Sequence, residues 1–275
     1  VAEITDKDID KAREMIYEMA GIFLPPSKNS TIKNRLDKLA RDLNFEDYEN
    51  FFKNLRIGRN KQEFINAFTT NKTDFFREGF HFIDMLNRIL PHRLKEKEPI
   101  KVYCAASSTG EEPYSIAATL LHAKEVYQSD TPFSICATDI DTSVLEVAKK
   151  GEYLVNTKLN PLPNWLDLSL YFEMQTISPK EVSLKAKREL KEAITFRQLN
   201  LMQFSYPFSQ KEFDIIFCRN VLIYFKIEDQ EKILRKLFSY LKVGGTLYLG
   251  HSESILSFGD KVDRLGQNIF IKKVD

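Results

Sequence analysis

The sequence predicts an α/β chain, a mostly parallel sheet wrapped by helices that follows a purely helical region, and three observations carry that prediction. Apolar runs of strand length alternate with helical patterns from Ile100 onward. The first ninety or so residues show apolar stripes at helical spacing only, and a segment over about 151–195 fits neither pattern. At 275 residues, 43% hydrophobic and 29% charged, the chain can fill a substantial core, and one large domain plus one small one is the expected division. No window reaches the roughly 18 uninterrupted apolar residues that span a bilayer. The start, Val1 to Lys7, lacks a basic-then-apolar export signal, so no membrane insertion and a cytoplasmic location are expected.

Thr5 or Asp6 can cap a first helix with Ile9, Ala12, Ile16 and Met19 on one face, ended by Pro25-Pro26. A second helix is expected after Ser30 or Thr31, with Ile32, Leu36, Leu39 and Leu43 in its stripe, and a third carries Tyr48, Phe51, Phe52 and Leu55. These stripes need a partner, and a bundle over residues 1–91 supplies it. Residues 92–99 are polar, end in a proline and read as a linker to a catalytic domain over 100–275. In that domain Ile100 to Ala105, Phe133 to Thr138, Phe213 to Cys218 and Thr246 to Gly250 read as strands. A helix over about 228–241, stopped by Gly244-Gly245, precedes the last of these, and Asn268 to Val274 closes the sheet, with an antiparallel strand as the option for that position. The 151–195 segment, with Pro161, Pro163, Pro179 and Trp165, is too long for a connection and reads as an inserted subdomain.

Cys104, Cys136 and Cys218 sit singly in apolar runs, and four scattered histidines offer no ligand spacing, so no metal is expected. A net charge of +1 excludes the strongly basic balance of many nucleic-acid binders. Local charge is more informative. Lys28, Lys33, Arg35, Lys38 and Arg41 lie off the apolar stripe of the second helix, as either a solvated face or a docking surface for an acidic partner.

In open α/β sheets a ligand sits beyond the carboxyl ends of the strands, at the first turn into a helix. Here that turn is Ala105-Ala106-Ser107-Ser108-Thr109-Gly110-Glu111-Glu112-Pro113, which is not the glycine fingerprint of dinucleotide enzymes. Glu111 and Glu112 stand where a pyrophosphate would bind and would repel it. S-adenosylmethionine carries a sulfonium and an ammonium and no phosphate, so a carboxylate suits it. Asp139, at the end of the second strand, is placed to accept hydrogen bonds from ribose hydroxyls, and between Asp139 and Asp141 one can do this while the other caps the next helix.

Four segments resemble the motifs of the chemotaxis receptor (methyl-accepting chemotaxis protein) glutamate O-methyltransferases, the CheR family. They are Thr70-Asn71-Lys72-Thr73-Asp74-Phe75-Phe76-Arg77-Glu78, Ala106 through Ser115, Ala137-Thr138-Asp139-Ile140-Asp141, and Phe217-Cys218-Arg219-Asn220-Val221-Leu222-Ile223-Tyr224-Phe225. The resemblance implies a Rossmann-like methyltransferase domain, a helical N-terminal domain and an inserted small antiparallel β-subdomain. It implies that Asn71, Thr73 and Arg77 reach the cofactor together with Glu112, Asp139, Asn200, Leu201, Arg219 and Asn220. Either Glu111 or Glu112 makes the direct contact, with Glu112 favoured because it adjoins the helix start. The implied reaction takes a methyl group from S-adenosylmethionine to chemoreceptor glutamates, giving methyl esters and S-adenosylhomocysteine for chemotactic adaptation. A glutamate is already ionised at pH 7, so no general base is needed. Arg77 is expected to clamp one oxygen of the substrate carboxylate and Tyr224 to orient the attacking oxygen. The basic helix, through Arg35, Lys38 and Arg41, is expected to dock on the acidic cytoplasmic methylation helices of the receptor.

A nucleic-acid N-methyltransferase would show a Pro-Pro turn where this chain reads Cys218-Arg219-Asn220-Val221, so nucleic acid is not the expected partner. A non-catalytic adenosylmethionine-binding adaptor is the remaining alternative, which intact ligand positions oppose. In some relatives the inserted subdomain also binds a peptide at the receptor C-terminus through a glycine-rich loop. The corresponding Gln175-Thr176-Ile177-Ser178-Pro179-Lys180 has no glycine, a departure that weighs against such tethering.

Overall fold

The computed structural model describes residues 3–55, 58–255 and 257–275; Val1 and Ala2, read above for an export signal, lie outside it. Helix α1 (Asp6–Ala20) opens on a capping box: the Thr5 hydroxyl accepts from the Asp8 N–H, and the Asp8 carboxylate accepts the Thr5 N–H at 2.9 Å. It ends at Gly21, whose left-handed φ of 71° and tight surroundings require glycine. An added Cβ would lie 2.4 Å from Met202 Cγ in the other domain. Helices α2 (Asn29–Leu43), α3 (Tyr48–Asn54) and α4 (Arg59–Phe68) follow. Ile16, Ile32, Leu36, Phe51, Phe64 and Phe68 meet in one apolar cluster that spans Ile4 to Phe68.

That cluster ends near residue 68, not near 91. Phe75, Phe76, Phe82, Met85, Leu90 and Leu94 belong instead to the cluster that covers the sheet. Phe75 and Phe76 lie on the turn before a helical stretch of α5 (Phe80–Asp84), a π turn (Met85–Ile89) and α6 (Leu90–Glu96), which carries the other four, and Phe82 stacks on Phe217 at 5.8 Å. The expected 92–99 linker is therefore helical as far as Glu96. Lys95, Glu96, Lys97 and Glu98 are exposed while Leu94 is buried and Arg93 reaches in to pair with the buried Asp214, a one-sided pattern that polar composition alone conceals.

The larger body comprises β1 (Ile100–Ala105), α7 (Glu111–Val126), β2 (Phe133–Asp139), α8 (Thr142–Lys150), β3 (Glu152–Asn156), β4 (Phe172–Ser178), β5 (Glu181–Ala186), α9 (Arg188–Ala193), β6 (Ile194–Gln198), β7 (Phe213–Cys218), α10 (Ile227–Tyr240), β8 (Leu241–Leu249), β9 (Val262–Arg264) and β10 (Ile269–Lys272). The main sheet runs β6-β2-β1-β7-β8-β10-β9. Its first five strands in that order are parallel, and β10 pairs antiparallel with β8, as does β9 with β10. The chain order reverses on either side of β1, which places the ligand crevice above the carboxyl ends of β1, β2 and β7.

Gly244-Gly245 does not stop α10. The helix ends at Tyr240, and both glycines lie within β8, where Phe213 pairs Leu241 but Ile215 already pairs Thr246. The extra residues bulge out of the ladder, Gly244 with φ 81°, and a Cβ on Gly245 would strike Leu241 at 2.7 Å.

The inserted segment forms a separate antiparallel sheet, β3-β5-β4. It braces the site from outside. The Tyr153 hydroxyl donates to the Thr109 carbonyl at 2.7 Å, Phe75 meets the Tyr153 ring edge-on at 4.9 Å, and Trp165 meets Phe76 at 5.8 Å. Among the described residues no helix is long and apolar enough to cross a membrane.

Candidate active site

A cleft of about 580 Å³ opens between the helical region and the carboxyl ends of β1, β2 and β7. The carboxyl ends of these strands are buried, and Glu112, Asp139, Arg219 and Asn220 sit at those ends or just beyond them. Asn71, Thr73, Arg77, Glu112, Asp139, Asn200, Leu201, Arg219, Asn220, Tyr224 and Arg35 all line it. Glu111, Lys38 and Arg41 do not. The two acids of the first turn thus separate: α7 begins at Glu111, whose side chain turns back to accept from the Thr109 hydroxyl at 2.6 Å, and burial raises its pKa.

The turn after β1 folds sharply, with Ala106 and Ser108 in left-handed backbone at φ 52° and 50°. That conformation points the Ser108 N–H at Asp139 Oδ2, 2.8 Å away, while Oδ1 of Asp139 accepts from the Asp141 N–H at 2.9 Å. Asp139 is buried in the cleft wall, and burial pushes its pKa up to about 6 against those backbone donors. Asp141 takes the other role. Its Oδ1 caps α8 through the Ser143 N–H at 2.8 Å, and its Oδ2 accepts from Thr69 Oγ1 at 2.5 Å and Asn71 Nδ2 at 2.9 Å. One carboxylate faces the cleft, and the next ties the 69–71 segment across its edge.

Glu112 is held by Arg219, whose Nε donates to Oε2 at 2.8 Å, and the Cys104 thiol lies 3.2 Å from Oε1. Arg219 is itself buried, packed over the rings of Phe82 and Phe217 at 5.3 and 5.7 Å. Glu78 also lies near this guanidinium, at 3.9 Å, and accepts from Asn220 Nδ2 and His251 Nδ1 through Oε1. Burial would raise the Glu78 pKa, but the His251 bond, Arg219 and Asn220 outweigh it and the net direction is down. Two carboxylates, those of Glu112 and Glu78, therefore share one guanidinium, and Glu112 and Asp139 supply the acidic lining on the sheet side of the cleft. On the helical side the lining is cationic: Lys28, Arg35, Lys72 and Arg77. Arg77 donates to the Lys72 carbonyl at 3.1 Å, and Arg35 to the Thr69 carbonyl at 3.1 Å and Thr70 Oγ1 at 3.2 Å. Lys38 and Arg41 are exposed further along α2.

Polar contacts tie the two domains together. The Asn200 amide donates to the Met19 carbonyl at 2.7 Å, the Phe23 N–H to the Tyr224 carbonyl at 2.8 Å, and the Tyr17 hydroxyl to Asp229 at 2.7 Å. Asn200 thus serves as a domain tie as well as a cleft wall.

Sequence reasoning missed Glu253. Its buried carboxylate accepts four backbone N–H groups, from Gly250 at 2.6 Å, Leu222 at 2.7 Å, Val221 at 2.8 Å and Asn220 at 3.0 Å. It fixes the turn after β7 in place, with Asn220 in left-handed backbone. The available signal was an acid shortly past the carboxyl end of an apolar strand, after Gly250.

The fold and this site define a Rossmann-like, S-adenosylmethionine-dependent methyltransferase. The lining fits that cofactor: an acidic sheet-side wall matches a ligand with two cationic centres and no phosphate. Residues 71–271 match the family described as "CheR methyltransferase, SAM binding domain", and residues 7–69 match "CheR methyltransferase, all-alpha domain". The chain belongs to the CheR methyltransferase family. It is 36% identical to "Chemotaxis protein methyltransferase 2" of Pseudomonas aeruginosa over 97% of this chain and 93% of that one. It is also 36% identical to "Chemotaxis protein methyltransferase" of Salmonella typhimurium over 99% and 92%, and 37% identical to that of Borreliella burgdorferi over 92% and 89%. The two family matches meet at residues 69 and 71, where the apolar clusters also divide.

Proposed function

We propose that the chain methylates glutamate side chains on the cytoplasmic methylation helices of chemoreceptors, yielding glutamate methyl esters for chemotactic adaptation. The observation that carries this reading is the polarity of the cleft, acidic on the sheet side and basic on the helical side. The acidic wall holds the cationic methyl donor, and the basic wall receives an anionic acceptor. Bound S-adenosylmethionine supplies a methyl group activated by its sulfonium, and S-adenosylhomocysteine is the product.

Asp139 accepts from the ribose hydroxyls, while Glu112, oriented by Arg219, faces the cationic amino-acid end. Asn71 has both cleft-edge partners engaged through Nδ2, which leaves its Oδ1 as its acceptor toward the cofactor. Arg77 steers one oxygen of the incoming glutamate, leaving the other to attack, and Tyr224 orients it from the β7 side. The acceptor needs no base, because its carboxyl titrates at about 4.3 and is ionised at pH 7, and the chemistry needs no metal. Catalysis then rests on alignment and on exclusion of water by the closed domains. The expected site of action is the cytoplasm.

Arg77→Ala is expected to lower kcat by about 30-fold with S-adenosylmethionine affinity within about threefold, the loss of one charge-assisted positioning contact. Unchanged turnover would remove Arg77 from the mechanism. Tyr224→Phe should slow the methyl step in the same direction and by less. Arg35, Lys38 and Arg41 continue as a basic stripe from the cleft mouth along α2. Reversing Lys38 and Arg41 to Glu should raise the KM for receptor fragments and leave cofactor affinity unaltered; equal loss of both would sink the docking role.

The deciding experiment incubates the protein with methyl-labelled S-adenosylmethionine and receptor cytoplasmic fragments, followed by mild base. Label released as methanol identifies a carboxyl methyl ester. Base-stable label points to N-methylation, and cofactor binding with no transfer to an adaptor. Omission of the receptor's C-terminal peptide in a parallel arm tests tethering at the inserted subdomain.

A further inference from the structure

We propose that the turn joining β9 to β10 sets the geometry of the cofactor-facing wall, with His81 and Glu253 as the positioning residues through which it acts. The inference rests on the reading of Glu112, Arg219 and Asn220 as cofactor contacts. Neither His81, Glu253, Gln267 nor Asn268 lines the cleft.

Gln267 and Asn268 hold left-handed backbone at φ 53° and 57°, which turns the Gln267 carbonyl and the Asn268 side chain toward the strand ends. The Gln267 carbonyl lies 2.7 Å from His81 Nε2 and accepts its N–H, so His81 is the Nε2–H tautomer and its Nδ1 is left as an acceptor. Arg219 Nη1 donates to that Nδ1 at 2.9 Å, and Arg219 Nε donates to Glu112 at 2.8 Å. A guanidinium is planar, so two N–H vectors directed at two fixed acceptors fix its plane, and with it the Glu112 carboxylate. The imidazole is fully buried beside a positive charge, and burial and Arg219 hold its pKa down at about 4, so it stays an acceptor throughout the physiological range.

The second arm starts one residue later. Asn268 Nδ2 donates to the carbonyls of Gly250 at 2.5 Å and Glu253 at 2.8 Å, which secures the 250–253 turn. Glu253 in turn gathers the N–H groups of Asn220, Val221 and Leu222. Gly250 must be glycine for this, since a Cβ there would lie 2.8 Å from the Asn220 nitrogen. One hairpin turn at the far edge of the sheet thus grips the Arg219 side chain through His81 and the Asn220 backbone through Glu253.

The test compares His81→Leu, which keeps bulk and removes both hydrogen bonds, with His81→Gln, which offers an acceptor and a donor in series. His81→Leu should raise the Kd for S-adenosylmethionine about tenfold, with the KM for receptor fragments at saturating cofactor unchanged, and His81→Gln should recover to within about threefold of wild type. The Arg219 Nε–H signal in nitrogen-15 spectra of the cofactor-free protein should be sharp and slowly exchanging in wild type and His81→Gln and lost in His81→Leu. Equal behaviour of the two variants, or an unmoved Arg219 signal, overturns the proposal by reducing His81 to packing. Should His81→Leu not fold, Asn268→Ala carries the test: cofactor affinity as tight as wild type refutes the second arm. Wild type that fails to bind S-adenosylmethionine while its Arg219 signal still depends on His81 would count against the assigned function and support the positioning.

Discussion

Arg219→Met is expected to cut methyl transfer by at least about a thousandfold and to lower the free energy of unfolding by about 3–5 kcal/mol, the cost of breaking a buried ion pair by deleting one partner. Both effects come from one side chain. Glu112 and Glu78 keep their half-buried positions but lose the guanidinium that they share, at 2.8 and 3.9 Å, and His81 Nδ1 loses its donor. The stability loss and the activity loss can be separated. In Arg219→Met combined with Glu112→Gln, one uncompensated charge is removed, so chemical denaturation should show much of the stability regained. Activity should stay absent, because the cofactor wall has lost both of its paired charges. Wild-type cofactor affinity in the single variant, measured by calorimetry, would mean that Arg219 is a structural counter-ion and not part of the site.

Much of this site was legible from local sequence, because its parts sit at strand ends. The β1, β2 and β7 runs are largely apolar, as strands covered by helices must be, and the polar residues at or just beyond their carboxyl ends, Glu112, Asp139 and Arg219-Asn220, stand out. What was not legible depends on partners remote in sequence. Whether Asp139 or Asp141 faced the cleft was decided by Asn71 and Thr69, which claim Asp141 across the domain edge. The helix carrying Phe82 and Leu94 reads as polar toward its end because only one of its faces meets the sheet. Gly244-Gly245 carries the signal of a helix stop equally well as that of a strand bulge, and only the β7 register distinguishes them. Glu253 acts on backbone N–H groups of a turn remote in sequence, so an acid shortly after an apolar strand does not by itself show what it holds.

Asp139→Asn is expected to weaken S-adenosylmethionine binding by about a hundredfold and to abolish a pH dependence that wild type should show. In the free protein burial holds the Asp139 pKa at about 6, above its ordinary value of 3.8. The sign follows from which state holds the proton. Between about pH 4 and 6 the folded protein keeps a proton that the unfolded chain has released, so raising the pH through this window lowers the stability of the free fold. Ligand donors reverse the balance, because ribose hydroxyls bond to the ionised carboxylate and replace part of the hydration that burial removed. Cofactor affinity should therefore be level from pH 7 to 8 and fall below about pH 6, by up to tenfold per unit, as protonation turns one acceptor oxygen into a donor. The asparagine variant carries that loss at every pH: its amide cannot accept at both positions now facing Ser108 and Asp141, and it has no charge to titrate. Titrating the Kd from pH 5 to 8 in both proteins measures this directly. A wild-type profile that stays flat through pH 6 would remove Asp139 from the cofactor contacts and leave it as the brace between Ser108 and Asp141.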